Sequence, residues 1–348
     1  MNYQQQECNM NVDAKENWSW DELLDEYFFS KNLRPATEES YRKVVNVLRQ
    51  FCRGKTPEDI THKDVLLWRR ELLKEKQRSA QTWNNKVAHM RALYNFWISQ
   101  GYISMDKNPF NNSTVQRETK KKKTLSRIQL TRVYLVMQQL SEDERKYCIR
   151  YTWNNAMSPA WYWLVVLDTL RYTGMRLNQL LHVRLRDINL DEGYINLMLE
   201  GSKTHREWRV PAVNQLRQGL AYLLEQAEKR GIKPSEKLFD VSRYVEVAER
   251  SKNESSSKKR QQKVRSFFRR LSRECGFTVS PHRFRHTLAT ELMKAPERNL
   301  QLVKDLLGHR SVNTTMEYVE LQMDIVGKTL EQELSLHTDK STVRECGY

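Results

Sequence analysis

A mainly helical protein of two domains, with one small β-hairpin or sheet in the second, is what this sequence predicts. Three observations carry that expectation. Only 11 glycines and 8 prolines interrupt 348 residues. Long stretches repeat apolar residues at spacings of three and four, and one segment, Gly193 to Pro211, alternates apolar with polar residues instead. At this length each of two domains can bury its own core, and one compact unit is the less favoured arrangement.

Residues 1–16 are polar and aperiodic and read as a disordered leader. A helical domain is expected over 17–110. Trp20, Leu23, Leu24, Tyr27 and Phe28 mark its first amphipathic helix, and Tyr41, Val44, Val45, Leu48 and Phe51 its second. Thr61 with Asp64 three residues on is a capping-box variant that opens a third helix through Val65, Leu67, Trp68, Leu72 and Leu73. A fourth runs from about Ser79 through Trp83, Val87, Met90, Leu93, Tyr94 and Trp97 and closes near Gly101. Four such helices make a small bundle.

Residues 111–125 read as a basic linker containing Lys120, Lys121, Lys122 and Lys123. Such a block is a solvated spacer or a strand that crosses a phosphate backbone. The second domain is expected over 126–330, with helices over 126–140, Trp161–Leu170 and about 212–230. In the alternating segment Ile195, Leu197 and Leu199 form one strand, Glu200 to Thr204 a turn with Lys203 at its tip, and Trp208 and Val210 the return. Ser251 to Gln262 is polar and low in complexity, which predicts a mobile surface loop. From Val264 onward Phe267, Phe268 and Leu271 give an apolar face, while Arg265, Arg269, Arg270 and Arg273 make the opposite face basic. Leu321, Ile325, Val326, Leu330 and Leu334 form an amphipathic stretch leading into a polar tail, 331–348.

Lys and Arg total 59 against 43 Asp and Glu, a formal charge of +16. Charge merely aiding solubility is the bland explanation. Its concentration in a linker and beside candidate catalytic residues favours a nucleic-acid partner over a membrane surface. The five cysteines are scattered singly, which argues against a disulfide framework or a paired-cysteine metal site. No apolar run of about 18 residues or cleavable signal is present, so a chain that stays in the cytoplasm is expected.

Six polar residues follow one another in the second half: Arg176, Lys203, His282, Arg285, His309 and Tyr318. A tyrosine can attack a phosphodiester only where charge growing on the non-bridging oxygens is neutralised, and arginines with imidazole and ammonium donors suit that task. The strings around them are TLRYTGMRLNQLLHVRLRDINL, SPHRFRHTLATELM and VKDLLGHRSVNTTMEYV. In this order they closely resemble the motifs of the tyrosine recombinase (phage integrase) family, and the resemblance covers roughly residues 18 to 330.

The resemblance implies a two-domain clamp round duplex DNA, with an N-terminal helical core-binding domain and an α+β catalytic domain. Tyr318 aligns with the family nucleophile, which forms a 3′-phosphotyrosine and frees a 5′-hydroxyl. Arg176 and Arg285 match the arginines that grip the non-bridging oxygens, and His282 and His309 the two imidazoles that donate to phosphate or shuttle the tyrosine proton. Lys203 matches the hairpin lysine that protonates the leaving oxygen. His286 shares a helix face with His282, but no further ligand completes a metal set, and it reads as a buried hydrogen-bonding residue. Three residues after the first arginine the family usually has Glu or Asp; here it is Gln179.

The implied partners are double-stranded DNA carrying specific recombination sites and four copies of the chain on it, with room for accessory DNA-bending or directionality proteins; the tail either packs on a neighbouring catalytic domain, as in the family, or folds back on its own. Neither metal nor nucleotide is implied. The expected function is site-specific recombination through a Holliday junction, in the bacterial cytoplasm and for a mobile element. Two alternatives stay open: a type IB topoisomerase-like enzyme that reseals one DNA, and a catalytically weak or inactive member that only binds DNA.

Overall fold

The computed structural model describes residues 18–117, 122–147, 155–201, 206–245, 256–294 and 300–318. The chain divides into two compact units between Lys120 and Lys121. The leader, the tail beyond Tyr318 and Lys203 lie outside the described residues.

The first unit is built from α1 (Trp20–Lys31), α2 (Pro35–Phe51), α3 (His62–Arg70) and α4 (Ala80–Ser99). Thr61 and Asp64 close the expected capping box on α3, and Ser19 with Glu22 does the same for α1, so orphan amides of both first turns are satisfied. A π-helical turn, Glu71–Glu75, prolongs α3. The core is aromatic, with Trp68, Trp83, Tyr94, Trp97 and Phe110 all fully buried. Their polar ends are not stranded: Trp97 donates to the Leu23 carbonyl at 2.9 Å and Tyr94 to that of Pro57 at 2.8 Å. Trp83 donates to the Ser113 carbonyl at 2.7 Å, and Asn84 exchanges two hydrogen bonds with the Val115 backbone. The chain is therefore fixed against α4 as far as Val115.

The second unit begins at the Ser126 cap of α5 (Arg127–Lys146), followed by the apolar α6 (Ala160–Thr173) and the short α7 (Leu177–Leu180). Next come β1 (Ile188–Asn189), β2 (Tyr194–Leu197) and β3 (Trp208–Pro211). They form one antiparallel sheet in that order, with Ile195 opposite Val210, both buried. The helices α8 (Asn214–Lys229), α9 (Ser257–Cys275), α10 (Pro281–Lys294), α11 (Leu300–Leu307) and α12 (Val312–Met316) complete it. Helix α6 is the hub, packed against α5, α8 and α10, with Trp163 stacked on Phe267 of α9 at 4.0 Å.

Two expectations need correction. Leu199 does not continue the strand; it starts a 3-10 turn, Leu199–Gly201, and is exposed. Its exposed side chain gains little burial that would favour extending the strand. The second correction concerns Ser257 to Gln262, which are not a loop but the first turns of α9, capped by Ser256. Lys, Arg and Gln are good helix formers, and this run forms a mostly exposed helix start in which Arg260 alone is buried. Further along α9 the two faces are as expected: Phe267, Phe268 and Leu271 are buried, while Arg265, Arg269, Arg270 and Arg273 are exposed.

Candidate active site

Arg176 sits where α6 has ended and α7 has not yet begun. Gly174 closes α6 in the left-handed region (φ 60°), and a Cβ there would lie 2.8 Å from Leu288 and 3.0 Å from Leu307, so glycine lets three segments meet. Two residues on, Arg176 caps α7 in extended backbone, and its N–H donates to Gln179 Oε1 at 2.8 Å. Among the described residues Arg176 Nη1 and Gln179 Nε2 are buried donors with no hydrogen-bond partner. Burial holds the Arg176 guanidinium below the usual arginine range, with Tyr318 acting in the opposite sense.

Arg285, on α10, is only 4 % exposed. Its Nη1 donates to the Gly174 carbonyl at 2.7 Å, and its Nη2 donates both to the Leu307 carbonyl at 2.7 Å and to His309 Nε2 at 2.8 Å. One guanidinium thus ties the C-terminal end of α6 to that of α11 and fixes an imidazole. Burial, then the neighbouring Arg176 charge, pushes it down to about 10.

Because arginine can only donate, His309 Nε2 must accept, and His309 Nδ1 therefore carries the proton and donates to Thr315 Oγ1 at 2.9 Å. Burial and the charges of Arg285 and Arg176 hold His309 at about 4, so it is neutral at neutral pH. It follows Gly308, the left-handed residue (φ 63°) that ends α11. A Cβ on Gly308 would come 2.4 Å from the Trp208 ring, whose Nε1 donates to the Leu306 carbonyl at 3.3 Å. Across the turn from Trp208, Asn178 of α7 donates to the Gly201 carbonyl at 3.0 Å. Both flanks of the segment that contains Lys203 are therefore fixed to elements that carry site residues.

Tyr318 follows α12 and is 5 % exposed, its ring packed with Ala289, Met293, Val303 and Leu307. It lies nearly parallel to the His309 ring at 6.1 Å. Burial raises its hydroxyl above the ordinary phenol value, while Arg285, Lys122 and Arg176 pull it back. His286 Nδ1 lies 2.9 Å from Tyr318 Oη. His282, one turn earlier on α10, is exposed, with its ring 6.3 Å from that of His286. Lys122 forms a 2.6 Å ion pair with Glu317, the residue before the tyrosine.

The fold thus gathers Arg176, Arg285, His309 and Tyr318 round one spot. Sequence reasoning gave His286 a structural hydrogen bond without its partner, which is the tyrosine hydroxyl itself. The helix period puts His282, Arg285, His286 and Ala289 on one face of α10, but it does not say which of them meets the tyrosine. Among the described residues no group of three or more His, Cys, Asp or Glu side chains is placed to hold a metal ion.

The model of the phage integrase family matches residues 136–324, and that of the phage integrase N-terminal SAM-like domain matches residues 21–102. The chain belongs to the phage integrase family. A relative in Pseudomonas aeruginosa, named "Putative tyrosine recombinase XerC", is 36% identical over 94% of this chain and 74% of its own length. A second relative of that name, in Pseudomonas syringae, is 32% identical over 89% of this chain and 63% of its own. In fold the chain is similar to a Tn1549 transposon integrase solved with transposon right-end DNA (TM-score 0.67, 18% identity, 90% of this chain and 98% of that one). It is also similar to a lambda integrase tetramer solved on a Holliday junction (TM-score 0.61, 17% identity, 88% and 78%).

Within this cluster Gln179 now has a definite task. Its Oε1 accepts from the amide of Arg176, as a glutamate carboxylate of the same length would. Glutamate keeps that acceptor and replaces an unpartnered buried donor with a charged acceptor next to Arg176. Gln179→Glu is therefore expected to retain or raise the rate of DNA cleavage, measured in single turnover, with unchanged thermal stability. A cleavage loss of roughly tenfold or more would show that the amide nitrogen itself is required.

Proposed function

We propose that this protein is a site-specific DNA recombinase that cuts and rejoins duplex DNA through a 3′-phosphotyrosine on Tyr318. The observation that carries this is a buried tyrosine hydroxyl held beside imidazole and guanidinium groups in a phage integrase fold. Arg176 and Arg285 stabilise the charge of the pentacoordinate phosphorus, His282 and His309 assist, and Lys203 protonates the leaving 5′-oxygen. The bond energy is kept in the protein–DNA ester, so strand exchange needs no nucleotide. Residues 17–110 grip one side of the duplex, 126–330 perform the chemistry, and the lysines between them lie along the backbone. Four copies act on two sites through a Holliday junction, for a mobile element of a bacterial cytoplasm, the tail 331–348 linking neighbours. The DNA and Holliday-junction complexes of its structural neighbours and the names of its bacterial relatives support this reading. No described helix is long and apolar enough to cross a membrane.

The test is covalent capture. A nicked suicide duplex, chosen from a random-sequence library for binding, is expected to form an adduct with wild type that survives denaturation. In Tyr318→Phe the adduct is lost and binding is kept. Binding without an adduct in wild type would instead favour a member that only binds DNA, the reading that Gln179 invites.

A further inference from the structure

We infer that His286 is the proton acceptor for Tyr318: its Nδ1 takes the phenol proton as the hydroxyl attacks phosphorus, and returns it when the strand is rejoined. This rests on the reading of Tyr318 as nucleophile.

The 2.9 Å contact between His286 Nδ1 and Tyr318 Oη is a hydrogen bond to the atom that would react. In the tautomer with its proton on Nε2, the imidazole accepts from the phenol, which orients the hydroxyl and gives its proton a destination. The other described imidazole beside the tyrosine is committed: His309 accepts from Arg285 through Nε2 and donates to Thr315 through Nδ1. Releasing it would leave Arg285 without one of its buried acceptors. His282 lies one turn further back on the helix and is exposed.

The surroundings fit a base. Burial, then the charges of Lys122, His282 and Arg285, holds His286 at about 4, with Glu317 acting in the opposite sense. It is neutral at physiological pH and its lone pair is available. An imidazole this weakly basic does not ionise a buried phenol in the resting enzyme. An anionic phosphodiester set among the same cations offsets them and raises the imidazole's basicity. Proton transfer is thus coupled to the presence of substrate.

The step balances. Tyr318 Oη bonds to phosphorus as its O–H bond breaks and the proton passes to His286 Nδ1. The bond from phosphorus to the 5′-oxygen breaks, and that oxygen keeps the electron pair and takes a proton from the cationic donor, Lys203 in the proposal above. Rejoining reverses both transfers.

The experiment uses the full chain, with adduct formation on the nicked duplex followed in single turnover. His286→Ala is expected to slow adduct formation by about 10²-fold or more with DNA binding unchanged, the range for general-base catalysis. His286→Asn keeps a polar group in place but supplies no base and is expected to be nearly as slow, which covers the case where the alanine variant folds poorly. The decisive arm puts 3,5-difluorotyrosine at position 318, a phenol that ionises more readily. It should restore His286→Ala by roughly tenfold or more, and the variant's rate should climb with pH towards the phenol's titration where wild type has levelled. Failure of that rescue, or His286→Ala within roughly threefold of wild type while Tyr318→Phe is dead, overturns the assignment to His286 alone. An adduct that persists in Tyr318→Phe, or none in wild type, overturns the nucleophile reading beneath it.

Discussion

Arg285→Ala is expected to lose both the stability of the second unit and DNA cleavage, and Arg285→Lys to lose cleavage while recovering part of the stability. In the alanine variant the carbonyls of Gly174 and Leu307 and His309 Nε2 lose their donors inside the protein. A buried polar group left unpaired costs about 1–3 kcal/mol, so three together make a loss on the order of 3 kcal/mol or more. For a unit of this size that lowers the melting temperature by roughly 6 °C or more. Lysine restores a charge and some hydrogen bonds, but one ammonium cannot reproduce a planar fork that reaches two helix ends and a ring. If Arg285 also contacts the phosphate through its remaining N–H groups, cleavage by the lysine variant should fall by about 10²-fold or more. Thermal unfolding and single-turnover cleavage separate the two effects. Unchanged melting in Arg285→Ala would contradict the bracing role.

Gly308→Ala is expected to be the most damaging single-methyl change in the second unit. The left-handed backbone alone costs a side chain about 1–2 kcal/mol. The added carbon also meets the Trp208 ring at 2.4 Å, and that ring is hydrogen-bonded to Leu306. Forcing an indole out of a packed site adds about 1–3 kcal/mol. His309 is the next residue, so the displacement should carry into the site and slow cleavage as well. Gly276→Ala is the control: it too has positive φ, but no atom lies within 4 Å of its Cβ position. The excess destabilisation of Gly308→Ala over Gly276→Ala in denaturant unfolding measures the tryptophan contact. Trp208→Phe, with its smaller ring, should recover part of that excess in the double mutant.

Much of this protein could be read in advance because its signals are local. Apolar spacing marked the helices, Thr61 with Asp64 marked a helix start that the structure closes as expected, and Ile195, Leu197 and Val210 alternate as a two-stranded pattern should. Where the reading failed, the deciding information was not local. Leu199 has the residue type of a strand but lies exposed. The polar run at Ser257 to Gln262 has composition suited to either a loop or a helix start, and packing of the apolar turns that follow decides it. The site residues were legible as types in order, but their hydrogen bonds were not. Nothing in the string says that Arg285 spends its donors on main-chain carbonyls, or that the imidazole facing the tyrosine hydroxyl is His286.

The bonds of Arg285 also join parts of the chain made at very different times. One of its acceptors, Gly174, is synthesised 111 residues before it and another, Leu307, 22 residues after it. Lys122, at the start of the second unit, meets Glu317 near the end of the described chain. A nascent chain that has reached only α10 has neither the Leu307 carbonyl nor His309 to orient the guanidinium, nor the tyrosine. The set of groups proposed to cut DNA is complete only once the chain has been made past α12, so a chain terminated before α11 carries its arginines without a working blade.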